Sequence, residues 1–286
     1  MFIVELIAQS LVQGSIYALI ALGLTLVYGL LRILHVAHAA LFTLGAYVGV
    51  LSYNAAGSLV LSLIAAMLVS GVTGVAMFRL AYKPILKQPP HVALIASIGL
   101  FIAAEECFRI VFGASGLSFK QTPLQGQVHV GGLLFKQAEI AVMLGAGLII
   151  GLLAWLQSHT RLGIASQATV SDPQMAESFG VKLNQVRDLN FLIGSALAGF
   201  AGVWVAILNN LVEPTMGSVP SYKALAIIVL GGMGSVPGTL MAALVLGLVE
   251  SFGTVYLSQF LDRNAIAFAF LIVVLMVRPM GLFAKR

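Results

Sequence analysis

The sequence predicts an all-α polytopic membrane protein, and three observations carry that prediction. Only 9% of the 286 residues are charged and 60% are hydrophobic, whereas soluble domains carry about 25% charged residues. The mean hydropathy is +1.03. The long runs are apolar on every face, which favours membrane helices over alternating barrel strands. Disordered chains, disulfide scaffolds and freestanding nucleic-acid binders are excluded by the same numbers.

Charge-poor runs of about 20 residues mark the predicted spans, since a helix of that length crosses the hydrocarbon core. The first span is 6–31, and the run 33–78 divides into two spans at the polar stretch 52–58. Further spans are predicted at 91–112, 140–156, 189–211, 223–250 and 265–277. The sequence therefore predicts eight spans, or nine if 223–250 counts as a half-helix followed by a full helix.

Basic residues set the predicted orientation, because Lys and Arg concentrate in cytoplasmic loops. Most of them lie in the segments 79–87, 158–188 and 278–286. Placing all three in the cytoplasm leaves the N-terminus and the loop 113–137 outside. The N-terminus has no basic n-region, so the first span is predicted to persist in the mature protein.

Two smaller patterns concern packing and the outer loop. Glycines recur along the predicted spans at spacings that let helices approach closely. In the outer loop, Gln127-Val128-His129-Val130 alternates before Gly131-Gly132, which predicts a small hairpin. We expect the whole chain, 1–286, to form one transmembrane domain.

The loop 158–188 contains a predicted helix outside the membrane. Asp172 is a good helix cap, Pro173 suits the first helical turn, and Gly180 suits the end of a short helix. Such a helix could dock a partner protein, and an ordinary solvated loop is the alternative that the residues alone leave open.

The run Gly231-Gly232-Met233-Gly234-Ser235-Val236-Pro237-Gly238 predicts a break in a membrane helix. Discontinuous helices in transporters place their ends at the substrate. A simple loop between two short spans is the alternative.

His35 and His38 are three residues apart and therefore share one face of a helix. Two imidazoles could form half of a zinc site, but no Cys, Asp or Glu lies close by in the sequence. The favoured interpretation is helix–helix hydrogen bonding or lining of a transport pathway, and no metal site is predicted.

Charged residues inside the spans are costly and by default suggest function. Glu105 and Glu106 lie one turn before Arg109, so an internal ion pair is a plain structural alternative. Glu250 is expected near the outer end of its helix, where it would only anchor that end.

Four blocks of the chain resemble the branched-chain amino-acid ABC-transporter permease family. They are GSIYALIALGLTLVYGLLRILHVAHAALFTLGAY (14–47), the loop and helix 160–206, KALAIIVLGGMGSVPGTLMAALVLGLVES (223–251) and RPMGLF (278–283). The blocks occur in the family's order and cover nearly the whole chain. The chain departs from the family pattern at His35, Ala39 and Ala40, and these differences bear on the solute more than on the fold.

The resemblance implies a permease subunit of an ATP-driven importer in the bacterial inner membrane, with a branched-chain amino acid or related small polar solute as cargo. Implied partners are a second permease subunit (a paralogue or a copy), two ATP-binding subunits, a periplasmic solute-binding protein and membrane lipid. The chain itself has no G-x-x-x-x-G-K-[ST] motif, so no cofactor is expected in it and ATP-Mg is expected in the partner subunits.

Candidate site residues fall into two sets. The expected pathway set is His35, His38, Gly231, Gly232, Gly234, Ser235 and Pro237. The expected ATPase-coupling set is Asp172, Pro173, Met175, Ala176, Glu177 and Gly180. No catalytic residue is predicted, because two histidines without a nearby nucleophile are thin support for an enzyme. A self-sufficient channel or ion-coupled carrier for a solute such as urea or an amide remains the alternative function.

Overall fold

A computed structural model describes residues 2–130, 133–257, 259–278 and 281–282, and this part of the chain is predominantly helical. The predicted turn residues Gly131 and Gly132 and the basic residues Lys285 and Arg286 lie outside the described residues.

The helices of the described residues follow one another with short connections. In chain order they are α1 (Phe2–Leu31), α2 (His38–Ala56), α3 (Leu59–Met77), α4 (Lys83–Ile85), α5 (Pro90–Phe112), α6 (Gln137–His159), α7 (Arg161–Ser171), α8 (Pro173–Ser178), α9 (Leu183–Asn209), α10 (Ser218–Gly231), α11 (Val236–Leu257) and α12 (Arg263–Val277). A π-helical segment, Phe78–Tyr82, joins α3 to α4. Strands β1 (Gln127–Val130) and β2 (Leu133–Lys136) pair antiparallel, which confirms the predicted hairpin.

Within the part of the chain that the structure describes, six helical stretches are long and apolar enough to cross a membrane. They are α1, α2, α3 continued to Ile85, α6, α9 and α11. The prediction of a polytopic all-α membrane protein is thus confirmed, but the predicted eight or nine crossings are not. Helices α10 and α12 are apolar but have only 14 and 15 residues, and at 1.5 Å per residue each is shorter than the hydrocarbon core of about 30 Å.

Helix α1 lies at the centre of the bundle. It packs most extensively against α11 and α9, and also contacts α10 and α6. In its most apolar stretch 83% of the residues are buried, whereas the corresponding value for α6 is 17%. A helix that is apolar all round and buried all round is an interior helix, while α6 presents apolar side chains to lipid.

Glycines allow the central helices to approach until their backbones touch. A Cβ atom on Gly23 of α1 would lie 2.5 Å from the carbonyl oxygen of Gly194 in α9. A Cβ on Gly45 of α2 would collide with the backbone of Gly199 in α9. These contacts confirm the predicted close packing, but not for every glycine, since Gly147 and Gly151 of α6 have nothing within 4 Å of the equivalent position.

We expect Gly45→Ala to destabilise the protein strongly, because the added methyl group must displace the backbone of α9 and overpacking costs about 1–3 kcal/mol. Gly151→Ala is the matched control, and it should be neutral or stabilising by up to about 1 kcal/mol through helix propensity. Thermal unfolding of the purified variants in detergent measures both changes. Equal melting temperatures for the two variants would contradict the helix contact described above.

Candidate functional site

His35 and His38 are buried where the chain turns from α1 into α2, with exposures of 1% and 0%. His35 lies in the connection, and its Nδ1 is 2.7 Å from the hydroxyl of Tyr82. His38 is the first residue of α2. A Cβ on Gly23 would lie 3.2 Å from the His38 ring, so the glycine makes room for the imidazole beside α1.

Aromatic rings surround His35. Its ring centroid lies 5.2 Å from that of Tyr82 and 5.5 Å from that of Phe191, and Phe191 stacks on Phe78 at 4.8 Å. Phe78 and Tyr82 come from the π-helical segment, and such segments are frequent at functional sites. Sequence reasoning missed these three aromatic residues, because a π-helical turn has no sequence signal that we could read.

The histidines have unused hydrogen-bonding capacity. Among the described residues, His35 Nε2 and both ring nitrogens of His38 have no hydrogen bond of good geometry, although the backbone of Ile20 is close to His38. The two rings meet edge to face with centroids 5.8 Å apart. Within the described part of the chain, no group of three or more His, Cys, Asp or Glu residues is placed to hold a metal ion.

The Gly-rich run separates α10 from α11. Gly232 and Gly234 have φ angles of 90° and 88°, a region that disfavours side chains. Gly231 and Gly238 pack backbone to backbone, since a Cβ on Gly231 would lie 2.6 Å from the Gly238 carbonyl carbon. Pro237 is the second residue of α11, where its missing N–H costs nothing. It therefore lies in the first turn of α11.

This break packs against the end of α1 that leads to the histidines. The hydroxyl groups of Thr25 and Thr239 are 2.9 Å apart, and the Tyr28 hydroxyl donates to the sulfur of Met233 at 2.9 Å. His38 contacts α1 at Gly23. Both parts of the predicted pathway set thus contact the same half of α1, but no described contact joins them directly.

A cavity of about 250 Å³, here named the α1–α7 cavity, lies beside the break. Residues of α1, α6, α7 and the break line it, among them Thr25, Gly29, Gln157, Ser166, Val170 and Gly234. It is therefore a space between the Gly-rich break and the helix that precedes α8. Neither histidine lines it.

Helix α8 has the capping that the sequence predicts. The Asp172 carboxylate accepts hydrogen bonds from the backbone N–H groups of Gln174 and Met175 at 2.9 and 3.0 Å. Pro173 is its first residue. Gly180 follows the helix with a φ of 85°, which terminates it.

Helix α8 and the residue that follows it carry one buried side chain and several exposed ones. Ala176 is 4% exposed, so this predicted coupling residue packs inside its own chain. Met175 is 56% and Phe179 is 83% exposed, and Glu177 is exposed as well. Phe179 was not predicted, although its spacing of four residues from Met175 places both near one helical face.

A buried ion cluster joins four helices. Glu250 of α11 is fully buried, and its Oε1 lies 2.7 Å from Nζ of Lys223 in α10. The Tyr17 hydroxyl of α1 donates to Glu250 Oε2 at 2.6 Å, and Arg263 Nε of α12 donates to the same oxygen at 3.1 Å. Lys223 Nζ also donates to the Tyr17 oxygen at 3.0 Å.

This cluster corrects two expectations. Glu250 does not anchor a helix end at the surface, and Lys223 does not mark the start of a span, since it is 3% exposed inside α10. In the sequence, the only indication of this cluster was a lysine within an otherwise apolar stretch. Its partner Tyr17 lies 206 residues away from Lys223. By contrast, the ion pair of Glu105 with Arg109 was expected and is present at 3.5 Å, and Arg109 also pairs with Glu106 at 2.6 Å.

Glu250→Gln should destabilise the protein by about 3–5 kcal/mol, because it leaves the buried Lys223 without a counter-charge. The double variant Lys223→Met/Glu250→Gln should recover part of that loss. Glu106→Gln is the control, since its exposed ion pair contributes about 1 kcal/mol or less. Thermal unfolding in detergent measures all three. If Glu250→Gln lowered the melting temperature no more than Glu106→Gln does, the cluster would not stabilise the packing of the four helices.

Residues 6–278 match the family described as branched-chain amino acid transport system / permease component. The chain is 32% identical to the high-affinity branched-chain amino acid transport system permease protein LivH of Salmonella typhimurium, over 95% of this chain and 92% of the relative. The LivH protein of Escherichia coli (strain K12) gives the same values. BraD of Pseudomonas aeruginosa, with the same description, is 30% identical over 98% of this chain and 95% of the relative.

The match extends from α1 to the residue after α12, so it covers the break, the histidines and α8 together. A match of this length cannot come from one shared short motif. The chain belongs to the family of permease components of branched-chain amino acid transport systems.

Proposed function

We propose that this chain is the permease subunit of an ATP-driven importer that moves a branched-chain amino acid across the inner membrane. The observation that carries the proposal is the similarity to LivH and BraD over nearly the full length of each chain. The inner-membrane localisation predicted from the sequence agrees with the family and with the six membrane-capable helices. The permease provides the path for the solute and performs no covalent chemistry.

The energy comes from other subunits in this proposal. The chain contains no P-loop motif, so ATP-Mg binds to two separate ATP-binding subunits. A periplasmic binding protein delivers the solute, and a second permease, a copy or a paralogue, completes the membrane part. A self-sufficient channel or carrier is less well supported, because the relatives are named as components of transport systems.

Helix α8 is the proposed contact with an ATP-binding subunit. Met175 and Phe179 present exposed apolar side chains on a helix that lies outside the spans. Exposed apolar groups of this kind anchor protein interfaces when they enter a pocket of the partner. Ala176 fixes α8 to the body of the chain, so a movement of the partner is passed on to the membrane helices.

The proposed route from α8 into the membrane runs through α7. Asp172 ends α7 and caps α8, so the two helices move as one unit. Ser166 of α7 donates a hydrogen bond to Asn190 of α9 at 3.1 Å. Val170 of α7 lies close to Gly29, which is also next to Gly234 of the break. A shift of α7 changes the α1–α7 cavity and displaces the break.

The proposed pathway is lined by His35, His38 and the run 231–237. Buried imidazole nitrogens without partners are able to exchange hydrogen bonds with a polar solute. The break supplies backbone groups that are not used within a helix, as the ends of discontinuous helices do in other transporters. Movement of the break against α1 opens and closes this path.

Reconstitution tests the proposal. The chain is placed in liposomes together with the second permease, the ATP-binding subunits and the binding protein encoded with it, and leucine uptake is measured. Uptake should require both ATP and the binding protein. Leucine uptake by this chain alone would contradict the proposal and support the carrier.

Phe179→Ala should lower ATP-dependent uptake and the recovery of ATP-binding subunits with the permease by about tenfold or more, as loss of an interface anchor does. Phe260→Ala is the matched control, because Phe260 is 82% exposed but follows α11 at a different part of the chain. Quantitative co-purification and uptake provide the readout. Normal co-purification of the Phe179 variant would exclude this side chain from the contact.

Gly234→Leu should reduce uptake steeply, since a side chain at its positive φ adds about 1–3 kcal/mol of strain in the moving segment. Gly57→Leu is the control, because Gly57 also has a positive φ of 66° but lies between α2 and α3 with nothing within 4 Å. Both variants should reach the membrane in normal amounts. Equal uptake in the two would show that the break does not take part in transport.

A further inference from the structure

A second polar cavity lies where α1, α6 and α12 begin and α11 ends. It has a volume of about 280 Å³, and we name it the Arg263 cavity. The polar residues that line it are Gln9, Gln13, Glu139, Ser251, Thr254 and Arg263. Such a volume suits a small solute, since pockets for drug-sized ligands begin near 300 Å³. None of these residues belongs to the pathway or coupling sets.

Arg263 is held at this cavity by the buried ion cluster. Among the described residues its only ion-pair contact is through Nε, which donates to Glu250 at 3.1 Å. Glu250 is itself fixed by Lys223 and Tyr17. The side chain of Arg263 remains 39% exposed. Its two terminal nitrogens are therefore available to bind a carboxylate in the two-pronged geometry that arginine favours.

The hydroxyl group of Ser251 is a second indication that this cavity binds a ligand. It is only 6% exposed, and its hydroxyl has no hydrogen-bond partner among the described residues. Helical serines commonly donate to the carbonyl four residues earlier, as Thr254 does here to Glu250 at 2.7 Å. A buried hydroxyl without a partner costs free energy unless something in the cavity satisfies it.

The opposite charge is supplied by Glu139. One of its oxygens, Oε2, accepts from the backbone N–H of Lys136 at 3.1 Å, which leaves Oε1 for a ligand. Gln9 and Gln13 lie four residues apart on α1, so both amides face one side. Polar side chains on a membrane helix face the interior or a watery cavity. The cavity thus offers one cation, one anion and neutral amides.

We propose that the Arg263 cavity binds a free α-amino acid, with the solute's carboxylate on Arg263 and its ammonium group on Glu139. The inference rests on the proposed function, because it takes the transported class of solute as the occupant. The balanced charge favours a zwitterion, since Glu139 repels a phosphate or a simple carboxylic acid. Glu250 is a positioning residue, because the hydrogen bond that it accepts from Nε holds the Arg263 side chain at the cavity.

Binding of tritiated leucine to the purified full chain in nanodiscs tests this proposal by scintillation proximity. Arg263→Gln and Glu139→Gln should each weaken leucine binding about 10-fold or more, as expected when a charge-assisted contact is lost. Arg109→Gln and Glu106→Gln make the same two kinds of change at an exposed ion pair on α5 and should leave binding unchanged. Gln13→Trp places a larger side chain in the cavity without touching the ion cluster, so it should abolish binding even if Arg263→Gln affects folding.

Competition by analogues of leucine shows which chemical groups of the bound solute the cavity recognises. Unlabelled leucine should displace the tracer, whereas 4-methyl-2-oxopentanoate, which lacks the ammonium group, and 3-methylbutylamine, which lacks the carboxylate, should compete at least 10-fold more weakly. Equal competition by either analogue, displacement by anionic phospholipid, or unchanged binding in Gln13→Trp would overturn the proposal.

The result of this binding test can be told apart from the result of the reconstitution that tests the proposed function. If the reconstituted complex shows no ATP-dependent leucine uptake, the proposed function fails. If the complex transports leucine but the chain does not bind it at this cavity, only the present inference fails.

Discussion

The structure depends on the burial of α1 between α9 and α11. In the most apolar stretch of α1, 83% of the residues are buried inside the protein. Glycines make that possible, since Gly23 meets Gly194 of α9 at backbone distance and Gly247 of α11 packs on Gly14 in the same way. Because lipid tails are as apolar as leucine, close packing of this kind takes over the role that the hydrophobic effect has in water. The remaining helices are arranged around this central contact.

Several of the candidate elements contact α1 at different heights. Tyr17 joins the buried ion cluster, Gly23 receives His38, and Thr25, Tyr28 and Gly29 face the Gly-rich break. A helix held by backbone contacts on two sides has little freedom to move. The break is different, because its glycines have positive φ angles and it borders the α1–α7 cavity. In the proposed mechanism α1 therefore stays in place, and movement of α7 and α8 displaces the break relative to α1.

The sequence was sufficient where a feature is local. The cap of α8 at Asp172, the hairpin at 127–136 and the ion pair of Arg109 follow from neighbouring residues, and all are present. It was insufficient where distant segments meet. The ion cluster needs Tyr17 and Glu250, which are 233 residues apart, and nothing in either neighbourhood indicates the other. The predicted eight or nine crossings were not confirmed, since among the described residues α10 and α12 are apolar but short and α5 is not one of the six membrane-capable helices.

The central claim is that ATP-driven movement of α7 and α8 reaches the break while α1 stays in place. A distance measurement by pulsed electron paramagnetic resonance tests it in the assembled complex. Spin labels are placed at Ser171→Cys, which lines the α1–α7 cavity, and at Ser235→Cys, between the lining residues Gly234 and Val236, with the exposed Cys107 replaced by serine. The account predicts different distance distributions in the nucleotide-free and ATP-bound states. Identical distributions in a complex that still hydrolyses ATP and imports its solute would contradict it.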